Sequence, residues 1–143
     1  MFGHIGNMFF PSLQAPEVNL FNHPLAKVDL ELAIFLAGAD KEKFYSVLLD
    51  TKNKVIGVDM VSQGSLESAP VAPREVYKAA LLASAASVIF IHSHPSGDPE
   101  PSFSDIELTR QLKQVGQLMG IQVLDHVIIG RGKFYSFADK GEL

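Results

Sequence analysis

From Leu25 to Leu36 the run "LAKVDLELAIFL" is apolar and rich in good helix formers, and Gly38 is a natural stop, so it predicts a helix. The pattern then changes period. "KFYSVLLDTKNKVIGVDMVS" holds two runs of strand-forming residues around the turn cluster "DTKN", which reads as a β-hairpin. "QGSLESAPVA" reads as a loop or short edge strand, and Pro73 opens a helix over "PREVYKAALLASAAS" with Glu75 in its first turn. "SVIFI" is short, continuously apolar and β-branched, the mark of a strand buried on both faces. In "SDIELTRQLKQVGQLMG", Leu108, Leu112, Val115 and Met119 recur at helical spacing and Gly120 is the stop. "IQVLDHVIIG" and "KFYSFA" end the chain as two strands. This order predicts an α/β layer fold around a mixed sheet.

Residues 1–24 follow no clean period; they carry Phe2, Phe9, Phe10, Pro11, Pro16, Phe21 and Pro24 and read as an extended arm. With 143 residues the remainder, 25–143, makes one domain with a real core. The arm packs on its own domain or on a neighbouring subunit, so a homodimer is an expectation. The chain has no cysteine, which excludes disulfides and thiolate chemistry and restricts any metal to nitrogen and oxygen ligands. Its net charge of −4 and scattered cations leave no footprint for non-specific nucleic-acid binding. No apolar segment reaches membrane-span length, and the start lacks the basic region and cleavage site of a signal peptide. A cytoplasmic protein without membrane contact is the expectation.

"SVIFI" delivers the chain into "HSHPSGDPEPSFSD", residues 92 to 105. Alternate residues of a strand share a face, so His92 and His94 converge on one point just past its end. Two neutral imidazoles aimed at one point make half of a tetrahedral zinc site. Pro95, Gly97, Pro99 and Pro101 stiffen and turn the loop, carrying Ser102 and Asp105 back toward the histidines. Two histidines and a carboxylate leave a fourth position for water, the arrangement of a catalytic rather than a structural site. By itself H-x-H is a weak signal, and Ser102 with Asp105, or Ser104 with Glu107, also reads as a helix N-cap with an acidic first turn. Asp98 and Glu100 read as solvated loop carboxylates within reach of a substrate. His126 reads as a hydrogen-bonded histidine inside an apolar strand or as part of the site wall, and His4 and His23 as bystanders.

The full string, H-x-H, seven residues, S-x-x-D, resembles the JAMM metalloprotease motif. With "DTKNKVIG", "APREVYKAA", "HPSGDPEPS" and "LDHVIIG", the stretch from Glu42 to the C-terminus is similar to the RadC branch of the JAB/MPN superfamily. No helix-hairpin-helix segment of the kind that precedes this domain in long RadC proteins is recognisable. Ser93 stands where RadC members often carry asparagine and JAMM proteases carry serine. The resemblance implies a JAB/MPN-like, cytidine-deaminase-like single domain, with a mixed sheet flanked by helices. It implies Zn2+ held by His92, His94 and Asp105, with Ser102 supporting the oxyanion of a tetrahedral intermediate. It also requires an upstream glutamate as general base. Glu42, directly before "KFYSVLLD", is favoured over Glu75, which has an adequate structural reason to sit at a helix start.

Three functions compete. A zinc hydrolase would cleave a peptide, isopeptide or related amide bond in a peptide or protein substrate, with zinc supplying nucleophile and Lewis acid. A DNA-repair-associated RadC module would bind or process nucleic acid, against the acidic balance of the chain. A partner-binding scaffold on the same fold would have no need of the complete ligand set.

Overall fold

A computed structural model describes residues 40–66 and 71–143 in full, and the backbone of two short strands at 3–5 and 8–10. The helix expected over 25–36 and part of the "QGSLESAPVA" segment lie outside the described residues. In chain order the elements are β1 (Gly3–Ile5), β2 (Met8–Phe10), β3 (Lys43–Leu49), β4 (Val55–Gln63), α1 (Pro73–Leu82), β5 (Ser87–Ser93), α2 (Phe103–Met119), β6 (Gln122–Ile129) and β7 (Phe134–Ser136). The strands form one mixed sheet in the order β1-β2-β4-β3-β5-β6-β7, parallel only between β5 and β6. Two pieces of the 1–24 arm therefore extend the sheet at the β4 edge, through Met8 opposite Asp59 and Phe9 opposite Val58.

The β3–β4 hairpin closes as its turn cluster predicts. Asp50 Oδ1 accepts from the N–H groups of Lys52 (2.8 Å) and Lys54 (2.9 Å). Asn53 takes a φ of 61°, a left-handed conformation that asparagine tolerates. β5 is buried along all seven residues, as expected of a central strand with neighbours on both sides. Phe44, Leu48, Val88 and Phe90 pack on one face against Val76, Tyr77 and Ala80 of α1 and Leu108 and Leu112 of α2. Tyr45, Val47, Ile89, Ile91 and Val127 form a second apolar cluster on the other face. Among the described residues both helices lie on the first face. No helix among them is long and apolar enough to cross a membrane.

α2 departs from its expected stripe at one end. Leu108 and Leu112 are buried and Val115 is partly so, but Met119 is 37% exposed. Gly120 ends the helix in the left-handed conformation at once (φ 72°), so Met119 overhangs the core. Thr109 and Gly116 are buried on this helix in its place. Gly116 is required there, because an added Cβ would stand 2.7 Å from the Tyr77 hydroxyl.

One core-edge carboxylate gives a pH-dependent expectation. Asp59 lies opposite Ser46 and is 8% exposed; burial raises its carboxyl to about 6, with Lys78 pulling the other way. The fold holds this acid neutral without penalty below its ordinary value of 3.8, and loses stability as pH rises through about 6 and the group ionises. Asp59→Asn is therefore expected to raise the unfolding free energy by roughly 1–2 kcal/mol at about pH 7.5, after allowance for solvent screening, and to change little near pH 4. Urea denaturation at the two pH values checks this, and an equal effect at both would refute it.

Candidate metal centre

β3 runs antiparallel to β5, so the N-terminal end of β3 and the C-terminal end of β5 meet at one edge of the sheet. The register ends with Phe44 opposite His92, and continuing it by two residues on each strand sets Glu42 opposite His94. Period-2 alternation then places Glu42, Phe44, His92 and His94 on one face. The Phe44 and His92 rings lie 5.7 Å apart, centre to centre. Where the backbone ladder stops, the Ser93 hydroxyl replaces it. Its Oγ accepts from the Lys43 N–H at 3.0 Å and lies 3.5 Å from the Lys41 carbonyl, so it grips both flanks of Glu42. Glu42 is tethered further by the Gly64 N–H on its carbonyl (2.7 Å) and the Leu66 N–H on its Oε2 (3.1 Å).

The proline-rich loop is pinned to the β6–β7 turn. The His94 N–H donates to the Ile129 carbonyl (3.0 Å) and the Arg131 N–H to the Gly97 carbonyl (2.8 Å). A Cβ on Gly130 would stand 2.3 Å from that Gly97 carbonyl oxygen and 2.8 Å from Pro99 Cδ, so only glycine fits at this crossing. His94 Nδ1 lies 2.9 Å from the Asp98 carbonyl. A carbonyl can only accept, so Nδ1 carries the proton and Nε2 keeps its lone pair for the site.

Ser102 is the N-cap of α2 and forms a full capping box with Asp105. Its Oγ accepts from the Asp105 N–H (3.1 Å), and Asp105 Oδ2 accepts from the Ser102 N–H (2.7 Å). The capping reading of these two residues is thus a fact of the structure, and it also aims Asp105 at the histidines. Asp105 Oδ1 is 3.2 Å from His92 Nδ1, and Oδ2 is 3.2 Å from His94 Nε2. Glu42 stands farther off, its oxygens 3.9 Å from His92 Nε2 and from His94 Nε2. Burial works to raise the Asp105 pKa, but the His92 and His94 rings and the Ser102 N–H outweigh it and hold the carboxyl below the usual carboxylate range. For His94, burial favours the neutral ring, while Asp105 and the Asp98 carbonyl raise its pKa.

These donors fit a divalent cation. His92 Nε2 is buried without a hydrogen-bond partner, a state that native proteins rarely leave unexplained, and its buried Nδ1 faces the Asp105 carboxylate at 3.2 Å. The lone pair of His94 Nε2 faces a carboxylate oxygen, and a proton or a cation must lie between them. Glu42, His92 and His94 also form a compact group, with ligand atoms all within 4.8 Å of one another. The histidines thus face two carboxylates, Glu42 within this compact group and Asp105 through His92 Nδ1 and His94 Nε2. Zinc–nitrogen and zinc–oxygen bonds of about 2.0–2.1 Å put tetrahedral ligands about 3.3 Å apart. Asp105 meets that spacing with one oxygen per imidazole, Oδ1 with His92 Nδ1 and Oδ2 with His94 Nε2, and Glu42 exceeds it.

The other polar residues separate from this centre. Glu75 is exposed in the first turn of α1, 4.0 Å from Arg74 Nε, and takes no part in the convergence. Asp98 and Glu100 are exposed in the loop, where Asp98 Oδ1 accepts from the Glu100 N–H at 3.1 Å. His126 is fully buried, its Nδ1 2.6 Å from Thr109 Oγ1 and its ring stacked 6.0 Å from that of His92; burial pushes it down to about 3. The side chains of His4 and His23 lie outside the described residues. A groove of about 510 Å3 lies at the far end of α2, lined by Lys113, Gln117, Val123 and Leu143, and includes none of the converging side chains.

Residues 23–142 match the family model of the RadC-like JAB domain. The chain belongs to that family. Its curated relatives include a UPF0758 protein of Methanosarcina barkeri, 54% identical over 101 residues that cover 71% of this chain and 44% of the relative. A UPF0758 protein of Symbiobacterium thermophilum is 47% identical over 128 residues, which cover 84% of this chain and 55% of the relative. One of Geobacter sulfurreducens is 52% identical over 103 residues, 72% of this chain and 45% of the relative. The chain thus spans about half the length of the curated relatives it matches. Membership in a JAB family agrees with the metal-ready histidine and carboxylate cluster.

Proposed function

We propose that this RadC-like JAB domain is a zinc-dependent hydrolase of the JAMM type, acting on a peptide, isopeptide or related amide bond. The observation that carries this reading is the placement of Asp105 at 3.2 Å from both imidazoles, with the Glu42 carboxylate one step farther out at 3.9 Å. In this assignment His92, His94 and Asp105 hold the ion and Glu42 is the general base. Asp105 is 1% exposed and fixed by its capping box, as a ligand should be. Glu42 keeps a quarter of its side chain exposed and is held by tethers to its backbone and to Oε2. Its other oxygen is free to take a proton from an attacking water and return it to a leaving amine. Ser102 Oγ spends a lone pair on the Asp105 N–H and retains its own proton, a donor for the oxyanion that develops on the substrate carbonyl. Zinc, when bound, supplies Lewis acidity and lowers the pKa of water toward neutrality.

Metal analysis of the purified protein tests the reading. About one equivalent of zinc per chain is expected, the stoichiometry of a single three-ligand site. A chain that takes up no divalent metal after reconstitution would overturn it. Duplex DNA should bind weakly at physiological salt, because the net charge of −4 comes with no cluster of cations to release counterions. Tight binding with a steep salt dependence would favour the nucleic-acid reading instead.

A further inference from the structure

Thr109 and His126 are buried polar residues that the proposed chemistry does not use. Thr109 Oγ1 lies 2.6 Å from the Asp105 carbonyl and 2.6 Å from His126 Nδ1. The carbonyl can only accept, so the hydroxyl proton goes to Asp105, and the hydroxyl oxygen must accept from His126. His126 is thereby fixed as the Nδ1–H tautomer, leaving Nε2 a bare acceptor. That atom is buried and has no partner. A phenyl ring would fill the same slot without an unsatisfied acceptor, so the imidazole is held for the donor it offers Thr109.

The slot itself is tight. The His126 ring lies parallel to Phe137 (4.9 Å, 9°), near-parallel to His92 (6.0 Å, 22°) and edge-on to Phe44 (5.5 Å). The parallel pairing of β5 and β6 sets Phe90 opposite His126 and His92 opposite Ile128, so His126 is the diagonal neighbour of His92 on the same face, its ring stacked beside it. The two kinds of expected ligand come from different elements, His92 from the sheet and Asp105 from α2. Their separation depends on how the first turns of α2 sit over β6.

We infer that Thr109 and His126 are positioning residues for the metal centre. The chain from the Asp105 carbonyl through the Thr109 hydroxyl to the His126 ring ties the ligand-bearing turn of α2 to the sheet and flanks the His92 ring. This rests on the zinc reading above and adds to it the pair that sets the ligand spacing. Neither residue touches substrate.

Zinc affinity, measured by competition with a chromophoric chelator, tests it on the whole chain alongside the melting temperature of the zinc-free protein. Thr109→Val keeps the shape and removes the hydroxyl; it is expected to weaken zinc binding about 10–100-fold, the usual effect of losing an outer-sphere partner. Thr109→Ser restores the hydroxyl and should return affinity to near wild type. A merely structural role would lower the melting temperature and leave affinity unmoved. Wild-type affinity in a folded Thr109→Val overturns the inference and leaves the zinc site standing, whereas a wild type that binds no zinc sinks both. Should Thr109→Val not fold, nitrogen-15 NMR of the wild type decides. The His126 ring should carry its proton on Nδ1, and an Nε2–H tautomer breaks the chain and overturns the inference.

Discussion

Glu42→Gln is expected to keep its zinc and its melting temperature and to lose about 10²–10⁴-fold in turnover, the usual weight of general acid–base catalysis. The amide retains an oxygen to accept the Leu66 N–H, and the backbone ties to Gly64 and Ser93 do not depend on the side chain. What it loses is basicity, at the group 3.9 Å from both histidines. Glu75→Gln is the control. That side chain is 61% exposed on α1 beside Arg74, so its loss should cost little more than a few tenths of a kcal/mol of helix-end electrostatics and leave turnover intact. Steady-state rates on a model peptide or isopeptide that the wild type cleaves, with zinc content measured on the same samples, check both variants. Loss of zinc in Glu42→Gln would instead make Glu42 a ligand and reassign the base.

Asp105→Ala should abolish zinc binding at ordinary concentrations, with a loss of affinity beyond the 10–100-fold typical of outer-sphere partners. It removes the one carboxylate 3.2 Å from each imidazole and leaves two protein ligands. The same change deletes half of the α2 capping box, at a cost of about 1 kcal/mol. Asp105→Asn separates the two effects, since its amide oxygen still accepts from the Ser102 N–H but is a poor zinc ligand. Zinc should be lost in both variants, and the melting temperature should fall more in the alanine. Chelator competition and thermal melts provide the check; full zinc occupancy in Asp105→Asn would refute the ligand assignment.

Much of this centre is written locally in the chain. His92 and His94 share a face because a strand alternates, and "SVIFI" announces that strand. The S-x-x-D spacing makes Asp105 the third helical residue after its cap, the position from which a capping box operates. The partnership of Glu42 with His94 is of another kind. It depends on the pairing of β3 with β5 and on its register, and no local pattern near residue 42 encodes either. The Ser93 grip on Lys43 and the Thr109–His126 tie are equally non-local, spanning 50 and 17 residues of sequence. Residue type identifies Ser93 only as a family variation and His126 only as an odd polar group in an apolar strand. Met119 shows the opposite limit: its spacing is helical and apolar, but the core ends before the helix does.

The meeting of Glu42 with His94 also bears on how the proposed site is assembled. In the unfolded chain the two imidazoles of H-x-H are neighbours, but Asp105 reaches them only once α2 has formed and docked. Glu42 arrives only when a strand some fifty residues upstream has paired in the correct register. On the zinc reading a working site therefore needs the native fold, and a slip of one residue between β3 and β5 would turn Glu42 to the opposite face. Zinc held by such a site would bind the native state far better than any partly folded one, and the free ion would add stability by mass action, about 2.7 kcal/mol when it stands at one hundred times its dissociation constant. On the zinc reading, the ion would in this way favour copies in which α2 has docked Asp105 on the histidines, while the register of β3 on β5 would decide only whether the base is in place.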